Sequence, residues 1–179
     1  MELVDIYNNK HEKMNYTKGR KELEDGEYRL SCFVWIINIE NQLLIQQRLK
    51  TAKTCPNMWE TASGGATAGD NALQGALREL NEELGIKPNK KNIRFIGSFA
   101  RVNDFVEVFL LKSNINITEL KLQEDEVQDV KWVTITEYEK MIKEGKAIDT
   151  SFYIFKEYYD KYYERYLVFE DGQPIYKKK

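Results

Sequence analysis

Glu79, Glu82 and Glu83 fall within five consecutive positions, and Arg78 stands directly before them. Residues three and four apart are neighbours on a helix, so Glu79 meets both other carboxylates, and each like-charged pair is unfavourable by a few tenths of a kcal/mol. A cluster of this kind calls for a compensating cation. Oxygen-only ligands suit a hard divalent ion, Mg²⁺ or Mn²⁺, which keeps several waters and engages substrate phosphates. Glu79, Glu82 and Glu83 are therefore the expected metal ligands, with Arg78 placed one turn before Glu82 to hold a glutamate in one rotamer. The single histidine, His11, lies in a polar N-terminal stretch, which excludes His-rich zinc centres and the H-E-x-x-H arrangement. Two cysteines are too few for a disulfide framework. Cys32 reads as buried filler in an apolar run, and Cys55 as a loop cysteine with no imidazole to activate it.

The element carrying the glutamates reads as a helix. Leu73, Leu77, Leu80 and Leu84 share one sector at about 100° per residue and form the core-facing stripe. Asp70 or Asn71 can cap the N-terminus, and Gly85, with Pro88 beyond it, marks the end. Ala72, Gly75 and Ala76 lie on the side of the carboxylates. A glycine inside a helix costs about 1 kcal/mol relative to alanine, so this small-residue face implies close approach of backbone or ligand. Gly64, Gly65 and Gly69 in the preceding small-residue segment let a loop pass beside the site, and Gly64 and Gly65 are candidate substrate contacts.

Around that helix the pattern is strand-rich. Residues 28–39 read as a buried strand, Glu40-Asn41 as a turn, and residues 42–47 as its hairpin partner. After a loop over 48–58, residues 59–62 are strand-like. Residues 93–100, 105–111 and 127–133 complete the strands, and 136–144 reads as a helix capped by Thr136 and stopped by Gly145. The alternation predicts an α/β class, a sheet covered by helices. From Ser151 aromatic residues dominate: Phe152, Phe155, Tyr159, Tyr162 and Tyr166 keep helical spacing, which predicts a helix over about 151–166. Its face would pack on the core or on a second copy of the chain, as a homodimer.

The chain has 179 residues, with 27 Lys and Arg against 29 Asp and Glu, and 42% hydrophobic residues. That balance predicts one folded domain over 1–179 and excludes a disordered chain or a strongly basic nucleic-acid binder. No apolar run approaches the about 18 residues needed to span a bilayer, and the N-terminus lacks a signal-peptide pattern. A cytoplasmic protein with no membrane partner is expected, with Lys177 to Lys179 as a solvated tail.

The segment 64–86, GGATAGDNALQGALRELNEELGI, resembles the Nudix box, G-x5-E-x7-R-E-U-x-E-E-x-G-U, where U is aliphatic. Gly64, Arg78, Glu79, Leu80, Glu82, Glu83, Gly85 and Ile86 match in register, and Asp70 replaces the first glutamate of the pattern. The resemblance implies the Nudix fold, a mixed β-sheet sandwiched between helices. It also implies Mg²⁺-dependent hydrolysis of a nucleoside diphosphate linked to another moiety, or a related diphosphate, as a small-molecule substrate. Many members of that family have another carboxylate near the metals. Glu126 in QEDEVQDVKWV occupies that position, with Glu124 and Asp125 adjacent, and it or Glu79 is the candidate base.

A looser likeness runs from Asp5-Ile6-Tyr7 through Gly26-Glu27-Tyr28 and LLIQQRLKTAKTCPNMWETASGGA. It points to the branch of Nudix proteins that includes isopentenyl-diphosphate isomerase and its hydrolase-like relatives. This similarity implies Arg48 and Lys53 as contacts to a substrate diphosphate, in keeping with cations neutralising phosphate oxygens. The isomerase is similar in outline but uses a catalytic cysteine and histidine metal ligands after the tryptophan, whereas Trp59 is followed by Thr61-Ala62-Ser63-Gly64-Gly65. Hydrolase is the expectation, with an isomerase-like enzyme or a non-catalytic ligand sensor as alternatives.

Overall fold

The computed structural model describes the backbone of residues 2–162, 165–170 and 173–178, and the side chains of residues 2–162. An N-terminal hairpin, β1 (Leu3–Tyr7) and β2 (Lys13–Gly19), precedes a main sheet of β3 (Arg29–Ile37), β4 (Gln42–Arg48), β5 (Trp59–Glu60) and β6 (Ala62–Gly65). Helix α1 (Ala72–Leu84) follows. Strands β7 (Ile93–Ala100), β8 (Asp104–Lys112) and β9 (Val127–Thr134) then complete the main sheet. Two helices, α2 (Ile135–Lys143) and α3 (Phe152–Tyr162), and a hairpin of β10 (Arg165–Glu170) and β11 (Gln173–Lys178) end the chain.

The main sheet is mixed and has seven strands in the order β5-β4-β3-β8-β7, with β6 on β3 and β9 on β4. β3 pairs with β8 in parallel, and the other pairings of this sheet are antiparallel. One edge of β3 is shared between two partners: Ser31 to Val34 pair with β6, and Ile36 and Ile37 pair with β4. The sheet therefore forks along β3.

Alternation along β3 explains the layers. Leu30, Cys32, Val34 and Ile36 enter a core with Ala72, Ala76, Leu80 and Leu84 of α1. Phe33, Trp35 and Ile37 enter a second core with Tyr138 of α2 and Phe152 and Phe155 of α3. With a side-chain period of two, a strand buried on both faces feeds helices on both sides. The expected sheet between helices is present. The Trp35 indole stacks on Phe155 at 5.0 Å and donates its Nε1–H to Ser151 Oγ at 3.1 Å, so its polar atom is satisfied inside the second core.

Several expected boundaries move, each for a local reason. Asn71, not Asp70, caps α1, in a reciprocal box with Gln74, while Asp70 accepts from Thr67 Oγ1. Gly85 ends the helix at φ 71°. Thr134, not Thr136, caps α2, because Glu137 three residues on returns a bond to the Thr134 N–H and Tyr138 is then fully buried. Gly64 and Gly65 lie in β6 rather than in a loop. The C-terminal helix ends at Tyr162, and Tyr166 falls in β10. Residues 165–170, RYLVFE, are strong strand formers, so β-propensity overrides the continuing aromatic spacing. Lys177 and Lys178 belong to β11 rather than to a tail, and Lys179 lies outside the described residues.

Candidate active site

A cavity of about 550 Å³ opens at the fork of β3. Ser31, Cys32 and Phe33 of β3, Arg48 of β4, Glu60 of β5, and Ser63 and Gly64 of β6 line it, facing Arg78, Glu79, Glu82 and Glu83 of α1 and Glu126 before β9. The three expected metal ligands and the expected second carboxylate thus share one cavity. Among the three adjacent acids 124–126 only Glu126 lines it, while Asp125 lines a neighbouring hollow.

The helix presents its small residues to β6, which brings the carboxylates inward. Ala72, Gly75, Ala76, Leu80, Glu83 and Leu84 are buried, whereas Leu73 and Leu77 are only partly covered. A Cβ on Gly75 would lie 3.0 Å from the Ala66 Cα, so the close approach implied by the mid-helix glycine is made by backbone. The face in contact with the sheet is therefore rotated from the leucine stripe toward the alanines, and Glu83 goes with it to 5% exposure.

Glu83 accepts a hydrogen bond from Gln46 Nε2 at 3.0 Å. Burial raises its pKa well above the ordinary glutamate value, partly offset by that bond and reinforced by Glu79, Glu60 and Glu126. Burial likewise raises Glu79, with Arg78 opposing the shift and Glu82 and Glu126 adding to it. Glu60, buried at 5% exposure, is raised by desolvation against the pull of Arg48. Glu60 and Gln46 were not singled out from sequence. The signals were present: Glu60 is the one charged residue between Met58 and Gly69, and Gln46 follows a buried Leu43-Leu44-Ile45 run.

Arg78 positions the acids. Its Nη2 donates to the Gly65 carbonyl at 2.6 Å, and its Nη1 reaches Glu82 at 2.9 Å and Glu79 at 3.2 Å. The planar fork suits this task because its donors are fixed relative to one another. Gly64 has a steric role, since a Cβ there would overlap the Glu79 carboxyl. Arg48 reaches the cavity but is engaged, donating to Glu60 at 2.7 Å and to the Thr54 carbonyl at 3.1 Å. Lys53 is not brought to this cavity; it is exposed and lines the neighbouring hollow with Asp125.

Cys32 also lines the wall, and burial pushes its thiol up to about 12. His11 is away from the carboxylates, stacked on Phe105 at 4.2 Å.

Among the described residues, no three His, Cys, Asp or Glu side chains are grouped tightly enough to hold an ion as they stand. The donor chemistry nevertheless suits one. Glu83 sits beside Gln46, whose Oε1 is buried with no hydrogen-bond donor, and the surrounding acids raise one another's pKa. The buried Glu83–Gln46 corner, rich in oxygens and with a single amide donor, matches a hard divalent cation, with Glu79, Glu82 and Glu83 as the residues that would hold it.

Comparison with known proteins places these features. The model of the NUDIX domain matches residues 27–154. An uncharacterized Nudix hydrolase of Listeria monocytogenes is 35% identical over 150 residues, covering 83% of this chain and 89% of the relative. Among solved structures, DR0079 from Deinococcus radiodurans aligns with a TM-score of 0.70 at 20% identity, over 87% of this chain and 98% of that one. The NUDIX domain of Shewanella oneidensis NrtR, complexed with ADP ribose, aligns with a TM-score of 0.58 at 18% identity, over 80% and 92% of the two chains.

Proposed function

The chain belongs to the Nudix hydrolase family, and from that premise we propose that it is a pyrophosphohydrolase dependent on Mg²⁺ or Mn²⁺. Its substrate in this reading is a nucleoside diphosphate linked to another moiety, or a related diphosphate. The observation that carries the proposal is the buried carboxylate of Glu83, set among Glu60, Glu79 and Glu126 with one amide donor and, among the described residues, no cationic partner of its own. An isolated buried acid is unfavourable, and a divalent ion shared with a diphosphate relieves it.

When bound, the ion supplies charge neutralisation of the diphosphate and acidifies water for attack on phosphorus. The remaining work belongs to side chains. Glu79 takes the proton of the attacking water, because it lines the cavity beside the other carboxylates and Arg78 holds its carboxylate in place. Arg78 is a positioning residue that holds Glu79 and Glu82 from one guanidinium. Glu126, exposed at the rim, adds negative charge to the same wall and is the alternative base.

The test is a panel of nucleoside diphosphate sugars, dinucleotides and nucleoside triphosphates with Mg²⁺, with Mn²⁺ and with chelator. ADP ribose, the ligand of the Shewanella domain, comes first. Phosphomonoester products from at least one compound, lost on chelation, are expected. No product from the whole panel, or undiminished turnover in chelator, overturns the proposal.

A further inference from the structure

The cavity has a second end, which the carboxylate chemistry does not use. Arg20, Arg29 and Arg101 line it, and the same three side chains border an adjoining hollow with Lys21 and Asp104. They come from three separate segments: the turn after β2, the first residue of β3 and the turn between β7 and β8. Each is fixed by its main chain. The Arg20 N–H donates to the Glu2 carbonyl, that of Arg29 to Asn103, and that of Arg101 to Asp104.

One acid serves most of this charge. Asp104 accepts from Arg29 Nε and from Arg101 Nη2, each at 2.8 Å, and from Ser31 Oγ at 2.9 Å. Among the described residues Arg20 has only Glu2 as an ionic partner, at 3.6 Å and 40% exposed. Arg29 Nη1 is buried with no acceptor, and a point above Gly65 lies within 4 Å of both that atom and the Arg20 guanidinium carbon. Arg101 packs over the Phe33 ring at 5.7 Å, which leaves its fork lining the cavity. Three guanidinium groups converge where the protein supplies too few acceptors.

We propose that this end is a subsite for a phosphate monoester on the part of the substrate beyond the scissile diphosphate. The inference rests on the hydrolase proposal for the substrate's diphosphate, and narrows its substrate class to diphosphates bearing a further phosphate. A monoester carries about two charges and three terminal oxygens, which matches three forks sharing one aspartate better than a carboxylate does. Gly64 and Gly65 divide the two ends. The missing Cβ of Gly64 makes room for Glu79, and that of Gly65, 3.0 Å from Arg29 Nη1, for the arginine. A ligand filling the cavity would have its diphosphate beside Gly64 and Glu79 and its monoester beside Arg20, Arg29 and Arg101.

The test reads binding alone, in chelator, so that it stands or falls apart from turnover. Inorganic phosphate is titrated into the protein and followed by amide chemical shifts. Saturable shifts are expected at Arg20, Arg29, Gly65 and residues 101–104, with millimolar affinity weakened about tenfold or more in R20Q and again in R101Q, the usual effect of losing a charged hydrogen bond. Arg29 is left intact because its pair with Asp104 joins β3 to β8. In the second arm NADP⁺ and NAD⁺, which differ by one monoester, are compared: NADP⁺ binds more tightly to wild type, and the ratio falls toward one in R101Q. Unsaturable shifts, equal phosphate affinity in both variants, or equal affinity of the two dinucleotides overturns the subsite. Failure of the substrate panel, with NADP⁺ and other monoester-bearing dinucleotides included in it, together with success here would instead sink the hydrolase proposal and leave a phosphate site alone.

Discussion

Replacing Glu83 with glutamine separates the metal proposal from ordinary packing. The amide keeps the shape and one oxygen, so the contact with Gln46 survives while the charge is removed. In wild type, burial raises the folded-state pKa above the unfolded value near 4.5. The folded carboxyl therefore holds its proton more tightly, and the stability this confers is complete below the unfolded pKa and is lost as pH rises through the folded one. Glutamine does not titrate. Without metal, E83Q should match wild type in acid and become the more stable protein as pH rises, by about 1.4 kcal/mol for every unit separating the two pKa values. For a chain of this size that is about 3–6 °C in Tm per unit. Metal should act in the opposite direction: an ion at a hundred times its Kd stabilises wild type by about 2.7 kcal/mol, and E83Q, lacking one anionic ligand, should gain far less. Turnover of a panel substrate should fall by about 10²–10⁴, the loss of several kcal/mol of charge stabilisation. Thermal melts from pH 4 to 8, in chelator and in Mg²⁺, together with steady-state rates, give all three readings. An E83Q protein that is no more stable than wild type at neutral pH in chelator, or that gains as much from Mg²⁺, refutes the reasoning.

Two glycines extend the same logic. In G64A the new methyl overlaps the Glu79 carboxyl, and a displacement of that group on the ångström scale should lower kcat by about 100-fold, while the melting curve in chelator moves little; wild-type kcat in G64A would deny Glu79 its role. In G75A the helix gains about 1 kcal/mol in propensity, but the methyl meets Ala66 at 3.0 Å from its Cα, backbone that cannot swing aside. Crowding of this kind costs about 1–3 kcal/mol, so a lower Tm is expected, and a higher one would show that β6 can retreat from the helix.

Legibility in the sequence followed the range of the interaction. Both ends of α1 were readable, because Asn71, Gln74 and Gly85 act within a turn of where they stand. The cap of α2 was ambiguous for a local reason: Thr134 and Thr136 each precede a glutamate by three residues, and only the frame that buries Tyr138 satisfies the tertiary packing. The N-terminal hairpin was missed because its buried positions include Asp5, which takes the Gly69 N–H and the Lys13 ammonium and breaks the apolar alternation. The burial of Glu83 was unreadable from α1 alone, since its partner Gln46 is 37 residues away on β4. The arginine end was equally hidden: Arg20, Arg29 and Arg101 look like surface charge until β3 and β8 pair in parallel and set Arg29 opposite Asp104.

What marked the site in both sequence and structure was a concentration of locally unfavourable choices on one face of one helix. Gly75 weakens α1, Glu79 repels Glu82, and Glu83 is buried with a single amide donor. Any one of these has an innocent explanation, but their convergence does not, because a sequence that is consistent elsewhere tolerates such conflicts where function requires them. The arginine end follows the same rule with the sign reversed, as one aspartate faces converging guanidinium groups and a buried N–H goes unmet. Opposite surpluses at the two ends of one cavity would cancel if their side chains met, and the Gly64-Gly65 strand keeps them apart. A ligand offering a cation-bridged diphosphate to one end and a free phosphate to the other relieves both at once, and for that reason each surplus is read as half of a single recognition surface.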